Sequence, residues 1–158
     1  MTIIAALFLS ASLAPEPSEN VAVVKRYFEE IWSKGNLASA SKIVAPSFQL
    51  NSPTMRIVGP TGPDLVAGVV EGRRSSFPDL TVTVEDVVSE GNKVAVRWVA
   101  KGTHSGKLGN VEPTGKKISY EGMSIFQVTS GQIYQEWTLD DFRSVLRQLG
   151  VDRLEIRR

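Results

Sequence analysis

The sequence contains no cysteine among its 158 residues, which excludes disulfides, thiolate catalysis and cysteine-based zinc sites. Its one histidine, His104, cannot form an HExxH motif or a histidine-rich metal site. Acidic and basic residues nearly balance, with a formal net charge of +1 and no clustered basic face of the kind that nucleic-acid binding requires. No GxGxxG, Walker or EF-hand pattern occurs, so nucleotide and calcium binding have no support.

Long apolar runs are also missing, apart from residues 3–14 (IIAALFLSASLA). This run is far short of the ~20 residues that a membrane-spanning helix needs. It fits the hydrophobic part of a signal peptide or an extra helix, and the lack of a preceding Lys or Arg argues against export. We therefore expect a cytoplasmic protein with no membrane span, and a secreted or periplasmic one if residues 1–14 act as a signal peptide. The predicted division is an apolar segment and linker (1–18), one domain (19–150) and a charged tail (151–158).

The first half of the domain has the three- and four-residue spacing of buried helix faces. A first helix follows Ser18 as its N-cap and ends at Gly35. A shorter helix is expected at about 37–44, a brief extended segment at 48–51, and a third helix from Pro63. The apolar positions of the first helix are Val21, Val24, Phe28, Ile31 and Trp32.

From Phe77 onward the period changes to two, which indicates strands with one covered face. Four strands joined by turns are expected, at about 80–85, 94–101, 117–128 and 133–139. A last helix begins near Asp140 or Asp141 and ends at Gly150. Helices followed by hairpin-linked strands predict an α+β fold. A long twisted sheet of this kind, antiparallel or mixed, curls into a half-barrel around an apolar cavity, with three to four helices on its concave side.

Two adjacent aspartates, Asp140 and Asp141, stand where the last strand meets the last helix. One of them is expected to cap the helix, because Asp is a favoured N-cap. Asp141 lies an even number of positions from Trp137, so it shares that face if the strand continues so far. A carboxylate beside an aromatic wall has a raised pKa and suits a general base. Asp141 is therefore the candidate catalytic residue, with a purely capping role as the alternative.

Seven further residues are candidates for binding a substrate, each with a structural alternative. The aromatic and sulfur-containing ones at helix or strand spacing are commonly core residues, Asn51 fits a turn, and Gln127 can equally face solvent. His104 lies in a long Gly-rich loop, residues 102–116, where a structural and a functional role are equally consistent. The candidates are Phe28, Trp32, Asn51, His104, Met123, Gln127 and Trp137.

Several segments together carry a family resemblance over about residues 19–150. They are FPDL at 77–80, GTHSG at 102–106, PTGKK at 113–117, and the Trp137–Asp141 spacing followed by LRQLG. The sequence resembles the SnoaL-like polyketide cyclases (ester cyclases), cone-shaped α+β domains of the nuclear-transport-factor-2-like superfamily. The resemblance implies a half-barrel pocket, no cofactor, and ring closure by intramolecular aldol condensation of a polyketide ester. It also implies an aspartate as general acid/base, at the position of Asp141, with Asn51 and Gln127 as candidate donors to the enolate oxygen.

One departure from the family pattern bears on function. Many relatives carry a histidine, as in H-x-P, where Asn51-Ser52-Pro53 stands in this chain.

The sequence and the resemblance together leave three hypotheses about function. The chain is a cofactor-independent cyclase, lyase or isomerase acting on a small apolar carbonyl compound, or a non-catalytic domain that binds such a ligand, or an interaction module whose outer sheet face pairs as a homodimer.

Overall fold

Five strands form one curved, unclosed sheet in the computed structural model, which describes residues 17–54 and 59–151. The strand order is β1-β5-β4-β3-β2, with every neighbouring pair antiparallel except β1 and β5, which are parallel. The predicted α+β class and the antiparallel strands after Phe77 are thus confirmed, and the extended segment before Asn51 is a full edge strand. The strands are β1 Val44–Asn51, β2 Thr81–Glu90, β3 Lys93–Thr103, β4 Lys117–Thr129 and β5 Gln132–Asp140.

The helices also follow the predicted order, with local differences. α1, Pro17–Arg26, continues directly into a π-helical stretch, Tyr27–Ser33. Ser18 therefore lies inside α1 and not at its N-cap. A 3-10 turn (Leu37–Ser39) leads into α2 (Ala40–Ile43), and α3 (Gly62–Ser76) and α4 (Phe142–Leu149) complete the set.

Two predicted segments fall largely outside the described residues. The N-terminal apolar run belongs to residues 1–16, and the charged tail, after Val151, to residues 152–158. The expectations about export and about the outer domain boundaries therefore stay predictions. Within the described ranges, no helix combines the length and the apolar character that crossing a membrane requires.

The hydrophobic core lies between the helices and one face of the sheet. β4 shows this most clearly, because its residues alternate between exposed and buried over almost its whole length. The inward residues of this strand are Ile118, Tyr120, Gly122, Ser124, Phe126 and Val128. β-Bulges between Val84 and Asp86 and between Gln127 and Val128 interrupt the pairing, and bulges increase the local twist of a sheet.

Arg74 of α3 ties the helical layer to the start of the sheet. Its Nη1 donates to the carbonyl oxygens of Trp32, Ser33 and Leu80 at 3.0, 2.9 and 2.9 Å, and its Nη2 donates to that of Pro78 at 2.7 Å. Carbonyls at the end of the π-helical stretch lack partners within their own helix. Arg74 supplies those partners and so fixes where the aromatic residues of the stretch lie over the sheet.

Candidate functional site

The last strand, β5, carries three polar side chains toward the helices. Glu136, Thr138 and Asp140 alternate with Trp137 and Leu139, which point to the opposite face. The inward three form one wall of a narrow pocket between sheet and helices, with a cavity volume of about 20 Å³. The pocket is lined by Phe28, Trp32, Leu50, Arg73, Val82, Trp98, Tyr120, Glu136, Thr138 and Asp140.

Aromatic rings form much of the remaining wall. The Trp98 ring centroid lies 6.2 Å from that of Phe28 and 5.8 Å from that of Tyr120. The indole of Trp98 extends across β4 at Gly122, where a Cβ atom would stand only 2.1 Å from Trp98 Cζ2. Gly122 is therefore the residue that lets this ring lie flat against the strand.

Glu136 is a buried carboxylate with two hydrogen bonds. Its Oε2 accepts from the Tyr27 hydroxyl at 2.9 Å, and its Oε1 lies 3.0 Å from Ser124 Oγ. Burial raises the pKa of Glu136 from its ordinary 4.5 to about 7, against the opposing effect of the Tyr27 and Ser124 hydrogen bonds. Burial and the adjacent Glu136 also hold the pKa of Tyr27 well above its usual range, so its phenol stays a donor. Glu136 can therefore gain or lose a proton near neutral pH.

Ser124 connects Glu136 to two other pocket residues. Trp98 Nε1 donates to Ser124 Oγ at 3.0 Å, and Thr138 Oγ1 lies 2.9 Å from the same oxygen. All of these side chains are buried, with Thr138 the most exposed at 8%. Buried polar groups of this kind stabilise a fold only when each has a partner, and this cluster satisfies that condition.

Asp140 lies at one end of the polar wall beside a cation. Its Oδ2 is 3.7 Å from Arg73 Nη2, and both side chains are largely buried. The Arg73 guanidinium stacks 3.5 Å above the centroid of the Phe142 ring, which holds it in place. Thr54 Oγ1 donates to Asp140 Oδ1 at 3.4 Å. A carboxylate and a guanidinium are thus presented together to an apolar pocket.

The prediction that Asp141 faces the ligand is wrong. β5 ends at Asp140, and Asp141 adopts a non-extended backbone (φ −91°, ψ 51°) as the N-cap of α4. Its Oδ1 accepts from the Ser144 backbone N–H at 3.1 Å, and its Oδ2 forms an exposed ion pair with Arg147 at 3.6 Å. The strand parity that linked Asp141 to Trp137 fails because the strand stops one residue earlier. One aspartate of the pair does cap the helix, as predicted, and the inward one is Asp140.

The candidate binding residues divide between the two faces of the sheet. Phe28 and Trp32 line the pocket; their role in binding stays a prediction. Met123, Gln127 and Trp137 lie on the opposite face of β4 and β5, so they cannot line this pocket. The reason is strand parity, which places each of them one position away from an inward residue.

Asn51 and His104 also lie away from the pocket. Asn51 is exposed at the end of β1, and its Nδ2 donates to the backbone oxygen of Glu136 at 3.4 Å. His104 is fully buried, where it packs on Phe77 and its Nδ1 accepts from the Thr114 backbone N–H at 3.2 Å. Burial lowers the pKa of His104. The imidazole therefore organises the loop that follows β3.

The outer face of the sheet carries a row of paired residues across all five strands, apolar on every strand but β1. The paired positions run Val88, Ala95, Ile125, Trp137 and Asn51. Met123 and Leu139, a directly paired couple, extend it. Val88, Met123, Ile125, Trp137 and Leu139 are all well exposed. Exposed apolar patches of this kind mark interaction surfaces, and we name these seven residues the outer row.

Arg73, Glu136 and Thr138 of the pocket have no counterpart among the candidates from sequence, and neither has Ser124, which hydrogen-bonds to Glu136 and Thr138. In the sequence, Glu136, Thr138 and Asp140 alternate with two apolar residues. Such alternation normally indicates that the apolar residues face the core, which is the opposite of what β5 does. In the described ranges, no three His, Asp or Glu side chains come together as a metal-binding set.

An open curved sheet, helices on its concave side and a pocket between them define a domain of the nuclear-transport-factor-2-like class. Within that class, the family model for the SnoaL-like polyketide cyclase matches residues 22–149. The chain belongs to the SnoaL-like polyketide cyclase family.

Relatives with stated activities agree with this assignment. The chain is 27% identical over 134 residues to aklanonic acid methyl ester cyclase AcmA of Streptomyces galilaeus, covering 84% of this chain and 92% of the relative. It is 28% identical over 120 residues to nogalonic acid methyl ester cyclase of Streptomyces nogalater, covering 75% and 89%.

Solved structures show the same fold. IdmH of Streptomyces antibioticus matches with a TM-score of 0.72 and 31% identity over 84% of this chain and 99% of IdmH. A structure from Acidithiobacillus ferrooxidans matches with a TM-score of 0.77 and 22% identity, over 84% of this chain and 94% of that one.

Proposed function

We propose that this protein closes a ring in a polyketide ester by an intramolecular aldol condensation, with Asp140 as the general acid/base. The observation that carries the proposal is the Asp140 carboxylate, which stands beside the Arg73 guanidinium in a pocket whose other walls are largely aromatic and aliphatic. The two curated relatives are named as cyclases of polyketide acid methyl esters. The substrate class we assign is therefore a polyketide methyl ester with at least three carbonyl groups: two beside the acidic carbon, of which the ester can be one, and a ketone that is attacked.

The first step is removal of a proton from a carbon flanked by two carbonyls. The carboxylate of Asp140 takes this proton, and the electron pair of the C–H bond passes to a carbonyl oxygen as an enolate. The guanidinium of Arg73 is placed to stabilise that negative charge, since it lies beside Asp140 and is held by Phe142. Charge stabilisation by a fixed cation in an apolar pocket is commonly the largest contribution to catalysis.

The second step forms the ring. The enolate carbon attacks a ketone carbon of the same molecule, and the ketone oxygen becomes an alkoxide that takes up one proton. One proton leaves carbon and one arrives on oxygen, so the reaction needs no oxidant, reductant or leaving group. The pocket must widen beyond about 20 Å³ to admit the ester. The aromatic walls formed by Phe28, Trp98 and Tyr120 then hold its chain folded, which converts the encounter of the two carbons into a positioned intramolecular reaction.

The test is turnover by Asp140→Asn with aklanonic and nogalonic acid methyl esters as the substrates, followed by liquid chromatography. We expect a loss of at least about 100-fold, the usual contribution of a positioned acid/base. Asp141→Asn is the matched control, because Asn caps a helix about as well as Asp. If Asp140→Asn turns over normally, or only Asp141→Asn is inactive, the proposed role of Asp140 is overturned.

The second candidate function is binding without turnover. It is favoured by one observation: Glu136 has a partner on each oxygen and Asp140 is already paired with Arg73. For a binding domain, Asp140→Asn and the unmodified protein both lack turnover of either ester, while quenching of tryptophan fluorescence still reports binding.

We further propose that two copies of the chain pair through the outer row. A symmetric dimer needs a self-complementary patch, and the row presents apolar side chains from all strands except the edge strand β1, where it ends in Asn51. A second copy of the same row is therefore the occupant that we assign to this face.

A further inference from the structure

The Ser124 hydroxyl has three hydrogen-bond neighbours but only one proton. Trp98 Nε1 lies 3.0 Å away, Glu136 Oε1 3.0 Å and Thr138 Oγ1 2.9 Å. An indole N–H can only donate, so Ser124 always accepts from Trp98. Ser124 therefore donates to one of Glu136 and Thr138 and accepts from the other. The hydrogen bonds from Glu136 through Ser124 to Thr138 can therefore run in either of two directions.

The charge on Glu136 decides between these two directions. An ionised Glu136 only accepts, so Ser124 donates to its Oε1, and Thr138 must then donate to Ser124. The lone pairs of Thr138 Oγ1 are left facing the pocket.

A protonated Glu136 reverses the chain. Tyr27 already donates to Oε2 at 2.9 Å, so the proton resides on Oε1 and Glu136 donates to Ser124. Ser124 then donates to Thr138, and the Thr138 hydroxyl proton is free to point into the pocket. Every member of the chain keeps its partners in both states.

We infer that Glu136, Ser124 and Thr138 form a proton relay that delivers a proton from Glu136 to a substrate oxygen held against Thr138. In chemical terms, Glu136 Oε1 gives its proton to Ser124 Oγ, Ser124 gives its own to Thr138 Oγ1, and Thr138 gives its own to the substrate oxygen. After the transfer Glu136 is ionised, Ser124 donates to Glu136 and Thr138 donates to Ser124. One proton has moved from Glu136 to the substrate.

This inference rests on the proposed cyclisation, and it assigns the two proton transfers of that reaction to two different carboxylates. Asp140 takes the proton from carbon, and Glu136 supplies the proton for the new alkoxide through Thr138. Thr138 and Asp140 are two residues apart on one strand face, roughly 7 Å by the rise of a strand. Thr138, as the proton donor, and Asp140, as the proton acceptor, can therefore each reach one of the two reacting groups of the same folded substrate.

Titratable groups face Glu136 or share its pocket on several of the surrounding elements. Among the described residues, α1 and its π-helical continuation give Tyr27, α3 gives Arg73, β4 gives Tyr120, and β5 gives Asp140, while β3 gives the uncharged Trp98. Burial raises the pKa of Tyr120 above its ordinary value, so this phenol stays neutral with Tyr27. Asp140 opposes the ionisation of Glu136 and so adds to the rise of its pKa.

The test uses the protein without substrate, so its result is separate from cyclase activity. The Glu136 carboxyl carbon and the Thr138 methyl group are labelled with ¹³C and followed by NMR from pH 5 to pH 9, with Glu136→Gln for assignment. We expect the Thr138 signal to move at the same midpoint as the Glu136 carboxyl. Glu136→Gln fixes the chain in the protonated direction, because its amide donates to Ser124, so the Thr138 signal should no longer move.

Ser124→Ala separates the relay from a direct effect of charge. In this variant Glu136 still titrates, but the Thr138 signal should lose most of its movement. If the Thr138 signal does not move in the unmodified protein, or moves equally in folded Ser124→Ala, the relay is overturned. The first of these outcomes is decisive even if Ser124→Ala does not fold.

Turnover provides the second readout. Thr138→Val removes the hydroxyl at nearly constant volume, and we expect kcat to fall by about 100-fold or more with KM little changed, as for loss of a general acid. Thr138→Ser, which keeps the hydroxyl, should recover most of that loss. Equal activity in the Val and Ser variants would overturn the role of Thr138 in proton delivery while leaving the proposed role of Asp140 intact.

Discussion

Replacing Glu136 by glutamine should make the folded protein less sensitive to pH between pH 5 and pH 8. Burial raises the pKa of Glu136 from 4.5 to about 7, so the folded protein binds a proton over a range in which the unfolded chain has released it. The contribution of the protonated carboxyl is fully present below pH 4.5 and is lost as the pH rises to about 7. A glutamine side chain at this position resembles the protonated form and carries no such dependence.

The magnitude follows from the two pKa values. A difference of about 2.5 pKa units at about 1.36 kcal/mol each gives about 3 kcal/mol between the two ends of the range. Between pH 5 and pH 8, where part of the transition is already over, about 2–3 kcal/mol remains. For a domain whose whole stability is about 5–15 kcal/mol, this is a measurable fraction.

The assay is urea unfolding followed by tryptophan fluorescence at pH 5, 6, 7 and 8. Other carboxylates titrate too, so the relevant quantity is the difference between the unmodified protein and Glu136→Gln at each pH. We expect the variant to gain about 2–3 kcal/mol relative to the unmodified protein from pH 5 to pH 8. The exposed Glu90→Gln serves as the control and should show no such gain. Parallel pH dependences of the unmodified protein and Glu136→Gln would refute the reasoning.

Three further predictions concern packing and assembly. Gly122→Ala should cost about 1–3 kcal/mol of unfolding free energy, because its Cβ would displace the Trp98 ring; an unchanged urea midpoint would contradict this. Arg74→Met should cost about 3 kcal/mol or more, because four carbonyls lose a charged donor; Arg26→Met, on the exposed side of α1, is the control. Ile125→Lys should convert a dimer into a monomer in analytical ultracentrifugation with unchanged circular dichroism; a mass equal to that of the unmodified protein would rule out pairing through the outer row.

The fold could be predicted from the sequence because its helices and strands have clear periods and clear ends. The change from helical spacing to alternation at Phe77 marked the start of the antiparallel strands, and Gly150, at φ 79°, ends α4 as expected. The parallel pairing of β1 with β5 was not predicted. Nothing in the local pattern of Val44–Asn51 specifies a partner strand so much later in the chain.

The site was predicted less well, for a physical reason that β5 illustrates. Its apolar residues, Trp137 and Leu139, lie on the outer face, and its polar residues, Glu136, Thr138 and Asp140, face inward. The expectation that apolar residues face the core therefore assigns the two faces of β5 the wrong way round. That expectation fails because the inward face must carry the polar groups of a pocket, while the outer face is apolar and exposed. Only the pairing of β5 with β4 and β1 shows which set is inside.

This arrangement of β5 has a mechanical consequence. Only one polypeptide backbone separates the pocket from the outer row, since Glu136 and Thr138 project from one side of β5 and Trp137 from the other. A displacement of the strand by even a fraction of an ångström must shift both surfaces together, because tightly packed interiors transmit strain. We therefore expect a contact that displaces Trp137 from outside to move the Glu136 carboxyl as well, and a molecule that enters the pocket to change the shape of the outer row.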